Sequence, residues 1–165
     1  ADDADILYES CDHVVFKIHS ANLKNTSETL YAPVGTITHL SDTVVLTESA
    51  KVLDLLFQYM YPQRQPNLRE IEFDLLQELC EAAEKYQVFS ALEVCKMSME
   101  NLCEDYPFEV LLYASRHGYS EMADAAAYHG VTVLPLQAFN KLLAHLPTYV
   151  AYVCDIVLII APLVS

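Results

Sequence analysis

Near the start of the chain Val14, Phe16 and Ile18 recur at every second residue. Asp5-Ile6-Leu7-Tyr8-Glu9 and His13-Val14-Val15-Phe16-Lys17-Ile18-His19 are two short β-rich runs, and Ser10-Cys11-Asp12 between them is turn-forming. The pattern predicts a β-hairpin with Val14, Phe16 and Ile18 on one face. Ala21, Leu23 and Lys24 fit a short helix before Asn25-Thr26-Ser27 break the apolar pattern. Ala32-Pro33-Val34-Gly35 reads as a loop, since Pro33 disfavours a helix. A third strand is predicted near Thr43-Val44-Val45-Leu46.

Beyond that point the apolar spacing changes to three and four. Leu53, Leu56, Phe57 and Met60 mark a helix capped by Thr47 or Ser49, running to Tyr61 and stopped by Pro62. A second covers about 73–86, with Leu76, Leu79, Cys80 and Ala83 inward. Ser90-Ala91-Leu92-Glu93 is a capping-box match and predicts a helix start, with Leu92, Cys95, Met99 and Leu102 as its stripe. Pro107 suits the first turn of a helix that Gly118 closes. Ser120 predicts the cap of a short helix ending near Gly130. Pro135 opens another, carrying Phe139, Leu142, Leu143 and Leu146, and Thr148 is the candidate cap of the last. The apolar tail 149–164, broken by Asp155 and ended by Pro162, predicts a buried terminal helix. Its uncharged runs are too short to span a bilayer.

Composition narrows the function classes. The hydrophobic share is 53% of 165 residues, enough for a real core. Nine basic against twenty-three acidic residues give a formal charge of −14. A field of that sign repels nucleic acid and anionic membranes, so neither is an expected partner. It suits solubility or a basic protein partner. Only three glycines occur, and no phosphate-cradling glycine motif is present. Five cysteines, an odd number without C-x-x-C, predict buried free thiols at Cys80, Cys95 and Cys103 and a reducing cytoplasmic or nuclear compartment. No signal-peptide pattern is visible.

Candidate chemistry is thin. His13 and His19 stand six strand residues apart, roughly 20 Å, too far to share one ion. No G-x-S-x-G or H-E-x-x-H occurs. Glu70, Glu72 and Asp74 lie around a helix start, where negative charge is favourable. Glu78, Glu81 and Glu84 recur opposite an apolar stripe, as on a solvated helix face. The expectation is no catalytic residue, no cofactor and no metal. Eleven tyrosines without Trp, several at element ends, fit either interfaces or core rims.

Four segments carry a family resemblance. Asp5-Ile6-Leu7 is similar to the D-[VI]-x-L strand that opens BTB/POZ domains. Phe16-Lys17-Ile18-His19-Ser20-Ala21-Asn22-Leu23 resembles their F-x-[VA]-H-[KR]-x-x-L segment. Val52-Leu53-Asp54-Leu55-Leu56-Phe57-Gln58-Tyr59-Met60-Tyr61 resembles F-x-x-L-L-x-[FY]-[IML]-Y, apart from its first position. Leu76–Val88 is similar to L-x-x-L-L-x-A-A-x-K-Y-x-[VM]. Tyr61-Pro62 and Tyr113-Ala114-Ser115-Arg116-His117-Gly118 look most like BTB proteins of filamentous and mushroom-forming fungi.

The resemblance implies an α+β fold: a small sheet against a cluster of α-hairpins over 1–106, with a C-terminal helical extension over 107–165. It implies a non-catalytic scaffold or adaptor whose partner is a protein: a cullin ubiquitin ligase, a repressor, or a second copy of the chain, as in a transcription-associated oligomerisation module. The segment holding Leu30, Tyr31, Val34 and Ile37 sits where the family contacts cullins, and is the expected partner surface. Three departures bear on assembly and on cullin binding. Ser20 stands where the family has a basic partner for Asp5, and the helix and strand exchanged in the family's long-form dimers do not precede Asp5; Lys24-Asn25-Thr26-Ser27-Glu28-Thr29-Leu30 replaces the Ser-x-x-F helix before the loop that contacts cullins. Self-association is therefore expected to be weak and not centred on Asp5 and Ser20. The rival readings are a hydrolase or transferase with a dispersed site, and a BTB-like fold without cullin binding.

Overall fold

The computed structural model describes residues 4–27, 29–30, 43–131, 135–143 and 145–160, with 135–137 and 155–160 as backbone only. It is α+β, with a small three-stranded sheet and helices over most of the remaining chain. It divides into two compact units, 1–96 and 97–165.

In the first unit β1 (Ile6–Glu9) lies between β2 (Val15–Ile18) and β3 (Thr43–Val45). β1 and β2 form the antiparallel hairpin, with Ile6 opposite Ile18 and Tyr8 opposite Phe16. β1 and β3 are parallel, with Tyr8 opposite Val44. A parallel neighbour needs a long crossover. Here the chain between β2 and β3 supplies it, beginning with α1 (Ser20–Thr26). Tyr8 and Phe16 place their rings 5.6 and 5.4 Å from Phe57, which joins the sheet to α2 (Ala50–Gln58). Val14 departs from the expected inner face and is exposed, because it belongs to the turn. Its N–H is taken by Ser10 Oγ, and His13 before it is left-handed at φ 63°.

α2 carries Leu53, Leu56 and Phe57 inward, and Met60 just past its end. It stops at Gln58 rather than Tyr61, as Tyr59 and Met60 turn through short-range backbone bonds. α3 (Phe73–Tyr86) buries Leu76, Leu79, Cys80 and Ala83 as its spacing predicts. Gln87 closes it in the left-handed conformation, its N–H bonded to Ala83 and Glu84 carbonyls. α4 (Phe89–Glu100) begins one residue before Ser90. Ser90 is therefore no cap; its Oγ donates to the Tyr59 carbonyl at 2.9 Å instead. Within α4, Cys95 and Met99 are fully buried and Leu92 is half-buried; Leu102, expected in the same stripe, lies past the end of α4 and is half-buried.

The second unit begins in the last turn of α4, and its first complete helices are α5 (Pro107–His117) and α6 (Ser120–Gly130), paired as a helical hairpin. Gly118 ends α5 at φ 78°, where a side chain would be strained. Ser120 lies inside α6 by one residue, and Tyr119 occupies the cap position. Gly130 allows close packing: a Cβ there would come within 3.2 Å of the Phe108 and Tyr152 rings. Tyr152 Oη donates to the Gly130 carbonyl at 2.7 Å, which pins α8 (Leu146–Ile160). α7 (Pro135–Leu142) buries Ala138 and Leu142. It ends before Leu143 and Leu146, and both are exposed.

The buried terminal helix expected from the apolar tail needs correction. Of the α8 side chains through Cys154, only Thr148 and Tyr152 are buried. Thr148 lies within the first turn of α8 and meets His145 Nδ1 at 2.5 Å through its Oγ1.

Candidate functional site

The expected partner surface is the segment that leaves α1, and the structure shows how its start is fixed. Ser27 follows α1 in extended conformation and forms an isolated antiparallel bridge with Val88. Its buried Oγ donates to the Tyr86 carbonyl at 2.5 Å. The same oxygen accepts from the Thr29 and Leu30 N–H groups at 3.3 and 3.2 Å. One hydroxyl thus bonds three backbone groups at once. The Leu30 carbonyl in turn accepts from Tyr8 Oη at 2.6 Å. Burial raises the Tyr8 phenol to about 12, so it stays a donor at neutral pH.

The end of α3 is tied to the opposite side of the same region. Glu48 lies in the turn before α2 and accepts from Lys85 Nζ at 2.7 Å and Tyr86 Oη at 2.5 Å. Lys85 also reaches Thr47 Oγ1 at 2.7 Å and lies 4.7 Å from the Tyr86 ring centre. Burial alone would raise the Glu48 carboxyl; the Lys85 and Tyr86 hydrogen bonds outweigh it and hold the group below its ordinary value. Burial, then the bond to Glu48, push the Tyr86 phenol up to about 12. A carboxylate with both oxygens occupied by a cation and a phenol is arranged as a clamp.

That clamp has a pH signature. A carboxyl whose folded pKa lies below its unfolded 4.5 adds stability above 4.5 and loses it as pH falls through the folded value. Unfolding stability should therefore decline below about pH 4.5. Glu48→Gln should lower stability at neutral pH and flatten that acid limb in urea titrations across pH 3–7. An unchanged acid limb would show that the clamp does not carry it.

Asp5 is not left without a partner by the serine at position 20. Ser20 N–H and Oγ donate to its two carboxylate oxygens at 2.7 and 2.5 Å. The Ser20 side chain and backbone hydrogen bonds lower the Asp5 pKa. The carboxylate sits at the start of α1, where it meets exposed helix N–H groups. His19 donates its backbone N–H to Tyr61 Oη at 3.1 Å, and its Nδ1 lies 2.9 Å from the same oxygen. His13 Nδ1 lies 2.6 Å from Glu9 on the exposed hairpin turn.

Cys80, Cys95 and Cys103 are buried free thiols, as expected, whereas Cys11 and Cys154 are exposed. The adjacent Cys95 and burial both push the Cys80 thiol up, so it is held protonated. Among the described residues, no cluster of three or more His, Cys, Asp or Glu is placed to hold a metal ion. Among the described residues, no helix is long and apolar enough to cross a membrane.

Of the expected partner-binding residues, Tyr31, Val34 and Ile37 lie outside the described residues. Leu30 is 6% exposed, with its side chain in the core. The Ser27 and Glu48 anchors carried no motif of their own. Ser27 stood out only as an interruption of the apolar pattern, and Lys85-Tyr86 only as the K-Y of the fourth resembling segment, with no sign of their link to Glu48. No family model matches the sequence, and no curated protein matches it.

Proposed function

We propose that the chain is a non-catalytic protein-interaction module of the BTB/POZ type, acting as an adaptor for a cullin ubiquitin ligase. The supporting observation is the placement of the four resembling segments. The first and second pair as β1 and β2, the latter running into α1; the third forms α2, and the fourth forms α3 and its left-handed end. The resembled family has this order of hairpin, helix, strand and helical pairs. Lys85 and Tyr86, the motif's K-Y pair, brace the Glu48 turn and accept from Thr29 and Ser27 through their carbonyls.

The partner surface in this reading is the chain that follows Leu30, with Tyr31, Val34 and Ile37 as its apolar contacts. Leu30 supports it from the core. The clamp and the Ser27 network are positioning groups: they fix where the segment starts without touching a partner.

The test is calorimetric titration of purified cullin N-terminal domains with the chain. A one-to-one complex with Kd of about 1 µM or tighter is expected for at least one of them. The double substitution Tyr31→Asp/Ile37→Asp should abolish the heat while leaving the melting temperature within a few degrees. Absence of heat with every cullin domain would refute the adaptor reading and leave a BTB-like fold without cullin binding.

A further inference from the structure

We propose that the outer face of α8 is a self-association surface that pairs with the same helix of a second copy across a two-fold axis. The starting point is an imbalance on that helix. Through Cys154, every exposed α8 side chain is apolar: Leu146, Pro147, Val150, Ala151, Val153 and Cys154. Leu146 and Val150 are 58% and 53% exposed. A helix with no polar face is one that is covered.

Three observations select a second copy as the cover. First, the spacing is that of a helix–helix seam. Leu146, Val150 and Val153 follow one another at four and three residues, the alternation by which one helix packs along another. A second copy brings an identical seam, and a two-fold pairing of identical patches is self-complementary.

Second, the charge is segregated. The chain carries −14 overall, yet residues 125–165 hold one acid, Asp155, and one base, Lys141. Lys141 is engaged by Glu109. Two copies meeting through acidic helices would bring like charges together, whereas the exposed α8 side chains through Cys154 are uncharged and add no like-charge pair at the contact. The repulsion that remains acts at a distance and weakens with salt.

Third, a bilayer is a poor substitute. α8 has 15 residues. It is about 22 Å long against a hydrocarbon core of about 30 Å. The neighbouring segment also lacks the basic residues that draw a helix to anionic lipid. This surface is distinct from the Asp5–Ser20 region, and the inference stands apart from the cullin reading.

The test is sedimentation equilibrium over about 1–100 µM, at low and at high salt. A monomer–dimer equilibrium is expected, tighter at high salt. Val150→Asp should weaken it roughly a hundredfold, because the buried carboxylate is repeated across the two-fold axis. Its helical circular dichroism should stay unchanged, since Val150 is half exposed in the single chain. Val45→Asp, at a 68% exposed strand residue, should leave the dimer intact.

Val150→Cys, with Cys11→Ser and Cys154→Ser to remove the exposed thiols, should cross-link to its own copy under copper-phenanthroline and dioxygen. Monomer at both salts, a dimer indifferent to Val150→Asp, or a monomer that floats with phosphatidylcholine vesicles would each overturn the proposal. A cullin complex that forms or fails does not alter these outcomes.

Discussion

Leu79→Ala is expected to lower the unfolding free energy by about 3 kcal/mol, shifting the urea midpoint without changing the slope. Leu79 is fully buried on α3, on the face it shares with Leu76, Cys80 and Ala83. The truncation removes three heavy atoms from a site with no exposure, so the loss combines their transfer free energy with the cavity left behind. With whole-domain stabilities of about 5–15 kcal/mol, this is a large share. Met97→Ala, at a 61% exposed position, should change stability by no more than about 0.5 kcal/mol. Equal effects at the two positions would mean that α3 does not pack as described.

Ser27→Ala is expected to cost about 2–3 kcal/mol, although it deletes a single oxygen. The three backbone groups bonded to that oxygen lose their partner together. The Leu30 amide is buried and has no water to replace it. Hydrogen exchange should therefore accelerate at Leu30 more than at amides of α2. Ser27→Thr, which keeps the hydroxyl, should recover part of the loss. A stability change below about 0.5 kcal/mol would show that the hydroxyl does not hold the segment.

These two sites differ in how much the sequence reveals. Leu79 belongs to a repeating stripe, and a stripe repeats the same message at four or five positions. α2 and α3 were legible for that reason, down to the inward set of α3. The hairpin was legible because Ser10-Cys11-Asp12 separates two alternating runs. Boundaries were less legible, because caps depend on a single residue. Ser90 matches a capping box but bonds back to Tyr59, a contact 31 residues away that local spacing does not contain.

Ser27 and Glu48 were hidden for the same reason. Their partners, Tyr86 and Lys85, are distant in sequence. In α8, hydrophobicity alone suggested burial. The helix instead presents Leu146, Val150 and Val153 outward, since among its described side chains Thr148 and Tyr152 are the buried ones. Composition reports that an apolar face must be covered, without reporting by which molecule.

In the proposed function the chain holds a partner through the segment that Ser27 and Tyr8 anchor. Hydrogen–deuterium exchange of the chain, alone and saturated with the tightest-binding cullin N-terminal domain, tests it most directly. New protection is expected between Tyr31 and Ile37, with α5 and α6 unchanged. Protection confined to α5–α8, or no change between Tyr31 and Ile37 in a saturated complex, would contradict it.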